Sequence, residues 1–211
     1  MTKGEKWQDI NRLKVAETIR KEMPQLEFVI WDLEPFAKGF HNWRKNMVFV
    51  ECEELAVDIL TQKLSFIFKS VGFYTGTMKK IKMREFNTGA INASIIVLAR
   101  KDFKDTVEDK ESNARIPCLE ERVTDLLAYS LRNTIPMPVA EAANAISYVL
   151  STNAASITKM HRYATRKYVD WLFKIILYQM ANRGEIGGLD PRFTKAGERY
   201  LHAIKEVENR E

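Results

Sequence analysis

Between Thr158 and Tyr168 the chain gathers Lys159, Arg162, Arg166 and Lys167 with no acid among them, and His161 and Tyr163 lie between. On a helix, Lys159, Arg162 and Arg166 fall at i, i+3 and i+7 and share one face. Such a row suits phosphates or an acidic protein surface. Tyr163 lies beside the row, where its ring could stack on a base or a partner side chain. Lys167 adjoins it. These five residues are the expected binding site. The competing reading is a solvated charged face.

A second group with chemical potential is Glu120, Glu121 and Asp125. Glu121 and Asp125 are i, i+4 on one face, as acid/base or metal carboxylates would be. Acids in the first turns of a helix also answer its macrodipole. Their structural alternative is capping, or a salt bridge to the basic helix. Other chemistries find little footing. His41, His161 and His202 are scattered, with no HxxH, HExxH or Cys/His pairing. There is no glycine-rich phosphate loop and no GxSxG. A nucleotidyltransferase would need a Gly-Ser followed by an Asp-x-Asp pair, which the chain lacks. We therefore expect no catalytic residue, no metal and no cofactor. Trp31 and Asp32 end the first strand, a common site position in α/β proteins. Their bland readings are core for Trp31 and a helix N-cap for Asp32.

Charge is patchy around a net of +5. Lys79, Lys80, Lys82 and Arg84 make a secondary basic patch, and Arg192 and Lys195 add to it near the C-terminus. Residues 105–125 lean acidic. Hydrophobic residues are 45% and charged residues 29%, an ordinary globular balance. No window approaches a membrane span, and the N-terminus lacks the apolar stretch of a signal peptide. Cys52 and Cys118 fit two reduced thiols. These features predict a cytoplasmic protein that does not enter a membrane.

The elements that must position these residues follow from periodicity. Residues 8–23 read as a helix ended by Pro24. Strands are expected at 27–31, 47–51 and 92–98, sharing one sheet. Asp32 can cap a short helix holding Leu33 and Phe36. Glu53 to Lys69 is an amphipathic helix whose stripe of Leu55, Ala56, Ile59, Leu60, Leu64, Ile67 and Phe68 should cover the sheet. Residues 78–86 lean to helix, and 102–115 read as a loop. Helices are expected over 118–131, 139–150, 156–166, 168–180 and 194–207. The fold class is α/β (α+β): a small mixed sheet covered by helices, then an α-helical C-terminal half. The division is an α/β subdomain at 1–115 and a helical subdomain at 116–211.

This order of elements resembles the C-terminal domain of AbiEi-type antitoxins and transcriptional regulators of type IV toxin–antitoxin and phage-defence modules. The residues that carry the resemblance are Phe28 to Trp31 with Leu33 and Phe36, then His41, then Phe49 to Glu51 and the Ala56–Phe68 helix. Pro117, Leu119 and Glu120 with Asp125 to Leu127 follow, and then Lys159, Arg162, Tyr163, Ala164, Arg166 and Lys167. It covers roughly residues 10–170. Members usually carry an N-terminal winged helix, whereas one short helix precedes the first strand here, so operator binding by that module is not implied. The resemblance implies a non-catalytic antitoxin or defence-associated regulator. Its partner would be a cognate nucleotidyltransferase-like toxin or other defence protein, with DNA or RNA as a further ligand. Two alternatives stand beside it. One is a DNA-binding protein with a winged helix-turn-helix at 139–206, its wing at 186–195. The other is a nucleic-acid-processing enzyme using Glu120, Glu121 and Asp125.

Overall fold

The structure is a computed structural model that describes residues 10–42, 46–69, 71–77, 80–84 and 93–208. The chain has a mixed α/β fold. It divides into two compact units, one from Met1–Pro35 and Trp43–Cys118, the other from Phe36–Asn42 and Leu119–Glu211.

Among the described residues, the first unit is built on a seven-stranded sheet. Its strands are β1 (Phe28–Asp32), β2 (Asn46–Cys52), β3 (Gly72–Thr77), β4 (Lys80–Arg84), β5 (Ala93–Ala99), β6 (Thr106–Asp109) and β7 (Ala114–Pro117). They lie in the order β4-β3-β5-β2-β1-β7-β6. The pairs β3/β5, β5/β2 and β1/β7 are parallel, while β1/β2, β3/β4 and β6/β7 are antiparallel. The three expected strands are therefore central and adjacent. Alternate residues Phe28, Ile30, Val48, Val50, Ile95 and Val97 join one core cluster with α1 (Arg12–Glu22) and α2 (Glu54–Ile67). The intervening Val29, Trp31, Phe49 and Ile96 are equally buried, so the central strands are apolar on both faces.

The sheet is larger than the sequence suggests. The helix expected over 78–86 is corrected at 80–84, where β4 pairs with β3 through Phe73↔Arg84 to Thr77↔Lys80; residues 78, 79, 85 and 86 lie outside the described residues. The loop expected over 102–115 is likewise corrected, because β6 and β7 form an edge hairpin there. Asn113 supplies a positive φ at its turn. Both are hairpins of short strands with few alternating apolar residues, which local periodicity does not register.

α2 also departs from a single inward stripe. Ala56, Val57, Leu60 and Leu64 are buried, whereas Leu55 and Phe66 are 86% and 77% exposed and Ile59 and Ile67 are exposed as well. A helix advancing about 100° per residue cannot turn all of them to one side. Trp31 is fully buried, stacked on Phe49 at 3.8 Å, and its indole donates to Glu51 at 3.1 Å. Arg100 satisfies the other Glu51 oxygen at 2.5 Å. Asp32 accepts from the Glu34 amide at 3.3 Å and so caps a 3-10 helix at Glu34–Gly39. Both residues thus take their structural roles.

The second unit is helical: α3 (Leu119–Leu131), α4 (Val139–Ser151), α5 (Ile157–Arg166), α6 (Asp170–Asn182) and α7 (Pro191–Glu208). The Phe36–Asn42 segment belongs to it through the start of α4. The Glu141 carboxylate accepts from the His41 amide at 3.0 Å and the Asn42 amide at 2.9 Å. Among the described residues, no helix is long and apolar enough to cross a membrane.

Candidate nucleic-acid interface

α5 forms because its residues separate cleanly by face. Met160, Tyr163 and Ala164 are buried, spaced three and four apart. Lys159, Arg162 and Arg166 are exposed, and so are Thr158 and Thr165. Ser156 caps the helix, accepting from the Lys159 amide at 3.4 Å. The basic row is therefore held on a rigid element.

α3 supplies the clamp. Its Glu120 accepts from the Ser156 amide at 3.1 Å, adding a carboxylate to the N-terminus of α5. Its Asp125, fully buried, forms an ion pair with Lys167 at the other end. Arg132, just beyond α3, donates to the Lys167 carbonyl at 2.5 Å. Glu121 is buried on the same helix. The carboxylates thus do the capping and bridging work of their structural reading, and two of the three groups of the enzyme alternative are committed to holding α5.

Two members of the expected site are corrected. Lys167 does not extend the basic row, because its side chain is only 9% exposed and turns to Asp125. Tyr163 cannot stack on a base, because it is buried. It serves instead as a platform: the guanidinium carbons of Arg162 and Arg166 lie 5.5 and 5.8 Å from its ring centroid. Cation–π contact with one ring restrains both arginines. His161 faces inward, edge-on to Phe193 of α7 at 4.9 Å. Burial pushes its pKa down and Lys174 pushes the same way, so it stays neutral near pH 7 and adds no charge to the row.

The residues of the secondary basic patch divide between the two units. Lys79 lies outside the described residues, and Lys80, Lys82 and Arg84 fall on the edge strand β4. Arg192 is exposed but its guanidinium is engaged by Asp190 at 2.6 and 2.9 Å. Lys195 is exposed on α7. The wing expected at 186–195 is corrected too. Residues 183–190 form a turn with Gly184 and Gly188 at positive φ, and Pro191 then opens α7, so no strand stands there. What persists of that alternative is α4, a short turn and α5.

Spacing did not single out Arg132 or Tyr168. Arg132 carries no sequence signal, since its partner is 35 residues away. Tyr168 is 79% exposed directly after α5. Among the described residues, no group of three His, Cys, Asp or Glu side chains could hold a metal ion.

No curated protein and no solved structure matches this chain. A family model does, over residues 5–182, which takes in the sheet unit and the helical unit as far as the end of α6. With that coverage, the chain belongs to DUF6577, a family of unknown function.

Proposed function

We propose that this protein is a non-catalytic, AbiEi-like regulator that works in the cytoplasm by binding nucleic acid through α5. The observation that carries the reading is the exposed row of Lys159, Arg162 and Arg166 on a helix without acids, clamped at both ends by α3. Charges held in place lose less entropy on binding than charges on a loose tail. The two thiols suit a reducing compartment, and burial pushes Cys52 up to about 12, which keeps it unreactive.

The test is fluorescence anisotropy of labelled oligonucleotides across a salt series. If all three cations meet phosphates, the logarithm of affinity should fall with the logarithm of salt with a slope of about −2 to −3. Changing Arg162 and Arg166 together to Glu should abolish binding while circular dichroism and melting stay normal, because both side chains are exposed. A well-folded double variant that binds as wild type would make this helix a solvated face.

A second reading is favoured by α4, the turn at Asn153 and α5, an arrangement that could present α5 to a duplex groove as helix-turn-helix proteins do. A preference for one duplex sequence over others of equal length would support it. The resemblance adds a nucleotidyltransferase-like toxin as a protein partner, for which co-purification from the native host is the direct measurement.

A further inference from the structure

Four successive helices of the helical unit end in the same way. After α3, α4, α5 and α6 the next-but-one residue takes a left-handed conformation: Asn133 at φ 51°, Asn153 at 54°, Tyr168 at 58° and Gly184 at 71°. Each donates its amide back across the last turn, to Ser130, Leu150, Thr165 and Ala181 at 3.0–3.1 Å. The residue after each closes the motif onto Tyr129, Val149, Ala164 and Met180 at 2.9–3.0 Å. This is the Schellman arrangement, in which glycine is preferred and asparagine is the usual substitute. Three of the four caps follow that preference. The fourth is a tyrosine, whose Cβ is disfavoured there and whose bulky side chain makes it an outlier.

Burial does not compensate for the strain, because Tyr168 is 79% exposed. Nor is the turn loose. Lys167, its neighbour, is tied to α3 twice, by its side chain on Asp125 and by its carbonyl under Arg132. The ring is therefore carried on a fixed turn, in water, two residues after Arg166. A strained residue held by its surroundings and gaining nothing from the fold points to a ligand. Arg166 of α5 lies two residues before it and Asp170, which binds Lys174, two residues after.

We infer that Tyr168 is a stacking platform for an unpaired nucleobase, so that the α5 surface takes single-stranded nucleic acid. Arg162 and Arg166 hold the phosphates, and the ring receives the base that follows. An aromatic face accepts any base, so this contact confers strand state rather than sequence preference. The inference rests on the α5 reading and narrows its ligand.

The experiment compares the full-length protein with Tyr168→Gly and Tyr168→Phe. Binding is measured to a labelled oligothymidylate and to a hairpin duplex of the same nucleotide count. Tyr168→Gly should weaken single-strand binding by roughly 5- to 150-fold, the range of one lost base–aromatic stack, and leave duplex binding unchanged. Tyr168→Phe should bind like wild type. The glycine variant should also melt roughly 2–4 °C higher, because the backbone strain is gone. Higher stability joined to weaker binding is an outcome that a misfolded variant cannot give. Single-strand affinity equal to wild type in Tyr168→Gly overturns the inference, and so does an equal loss on both ligands. If the Arg162/Arg166 double variant then fails to bind while Tyr168→Gly binds fully, α5 remains the nucleic-acid surface and only the stacking role falls. If the wild type binds neither ligand, both readings fall.

Discussion

Asp125 and Lys167 decide how firmly the working helix is held. Asp125 is fully buried and the Lys167 side chain is 9% exposed, so each charge depends on the other. Removing one partner of such a pair leaves an uncompensated buried charge. Asp125→Ala should therefore cost about 3–5 kcal/mol in denaturant unfolding, a large share of the typical 5–15 kcal/mol of a domain. Replacing both residues by apolar ones, Asp125→Leu with Lys167→Met, should recover most of that loss, since the penalty lies in the orphaned charge. A fully stable Asp125→Ala would return this carboxylate to the list of chemical candidates. The same pair marks what single residues disclose. The shared face of Lys159, Arg162 and Arg166 was legible, because a helix face is a local property. A salt bridge from the acids of α3 to the basic helix was among the readings, but that Lys167 is the cation that turns inward was not legible, because the choice depends on how the two helices pack. Nor was the fate of Tyr163, whose ring is useful to the arginines above it only once the helix is packed. Tyr168 left a trace, an aromatic where helix caps favour glycine, but the trace means something only beside the three other caps.

At the scale of elements, α6 and α7 approach closely at Gly197. A Cβ built there would clash with the Lys174 carbonyl oxygen and lie 2.7 Å from the Tyr178 Cβ. Helix propensity alone makes alanine better than glycine in a helix interior by about 1 kcal/mol. Contact with a neighbouring backbone cannot be relieved by a rotamer change, so the helices must separate, and overpacking of this kind costs about 1–3 kcal/mol. The contact should win: Gly197→Ala is expected to lower stability by about 1 kcal/mol or more. Gly187→Ala, where nothing lies within 4 Å, should stay within about 0.5 kcal/mol of wild type. Equal stability of the two variants would mean that α7 does not pack on α6 through this glycine. Elements also show why some of the fold escaped prediction. The long helices were found because ten or more residues repeat one period. β3 and β4 carry Gly72, Gly76 and interspersed lysines, and β6 is a four-residue edge strand with only Val107 as a large apolar side chain. Each pairs with the strand next to it in sequence, but so short and mixed a segment carries too few apolar side chains for a period of two to show.

For the whole molecule, the consequential feature is that the helical unit is discontinuous in sequence. It takes Phe36–Asn42 from the midst of the sheet-forming half, so a cut at residue 119 would not release a complete unit. The segment is not a passive strap. Phe36 is fully buried, and the amides of His41 and Asn42 satisfy Glu141 near the start of α4. Gly39 sits so close to α4 that a Cβ there would meet the Tyr148 Cβ at 2.7 Å. No local pattern discloses this, because the contact spans about a hundred residues and the segment reads as an ordinary capped turn. A fragment of residues 119–211 should therefore unfold at lower denaturant than the same fragment with residues 36–42 fused through a flexible linker. Loss of one buried phenylalanine alone is worth about 3 kcal/mol or more, so the gain should be of that order. Glu141→Ala introduced into the fused form should remove part of the gain, since two amides lose their acceptor, but should matter little in the bare fragment. If the fused and bare fragments unfold together, Phe36–Asn42 contributes nothing to the helical unit, and the boundary belongs at residue 119 alone. If the fusion stabilises as expected, it is also the smallest form of this protein in which α5 and Tyr168 can be tested apart from the sheet.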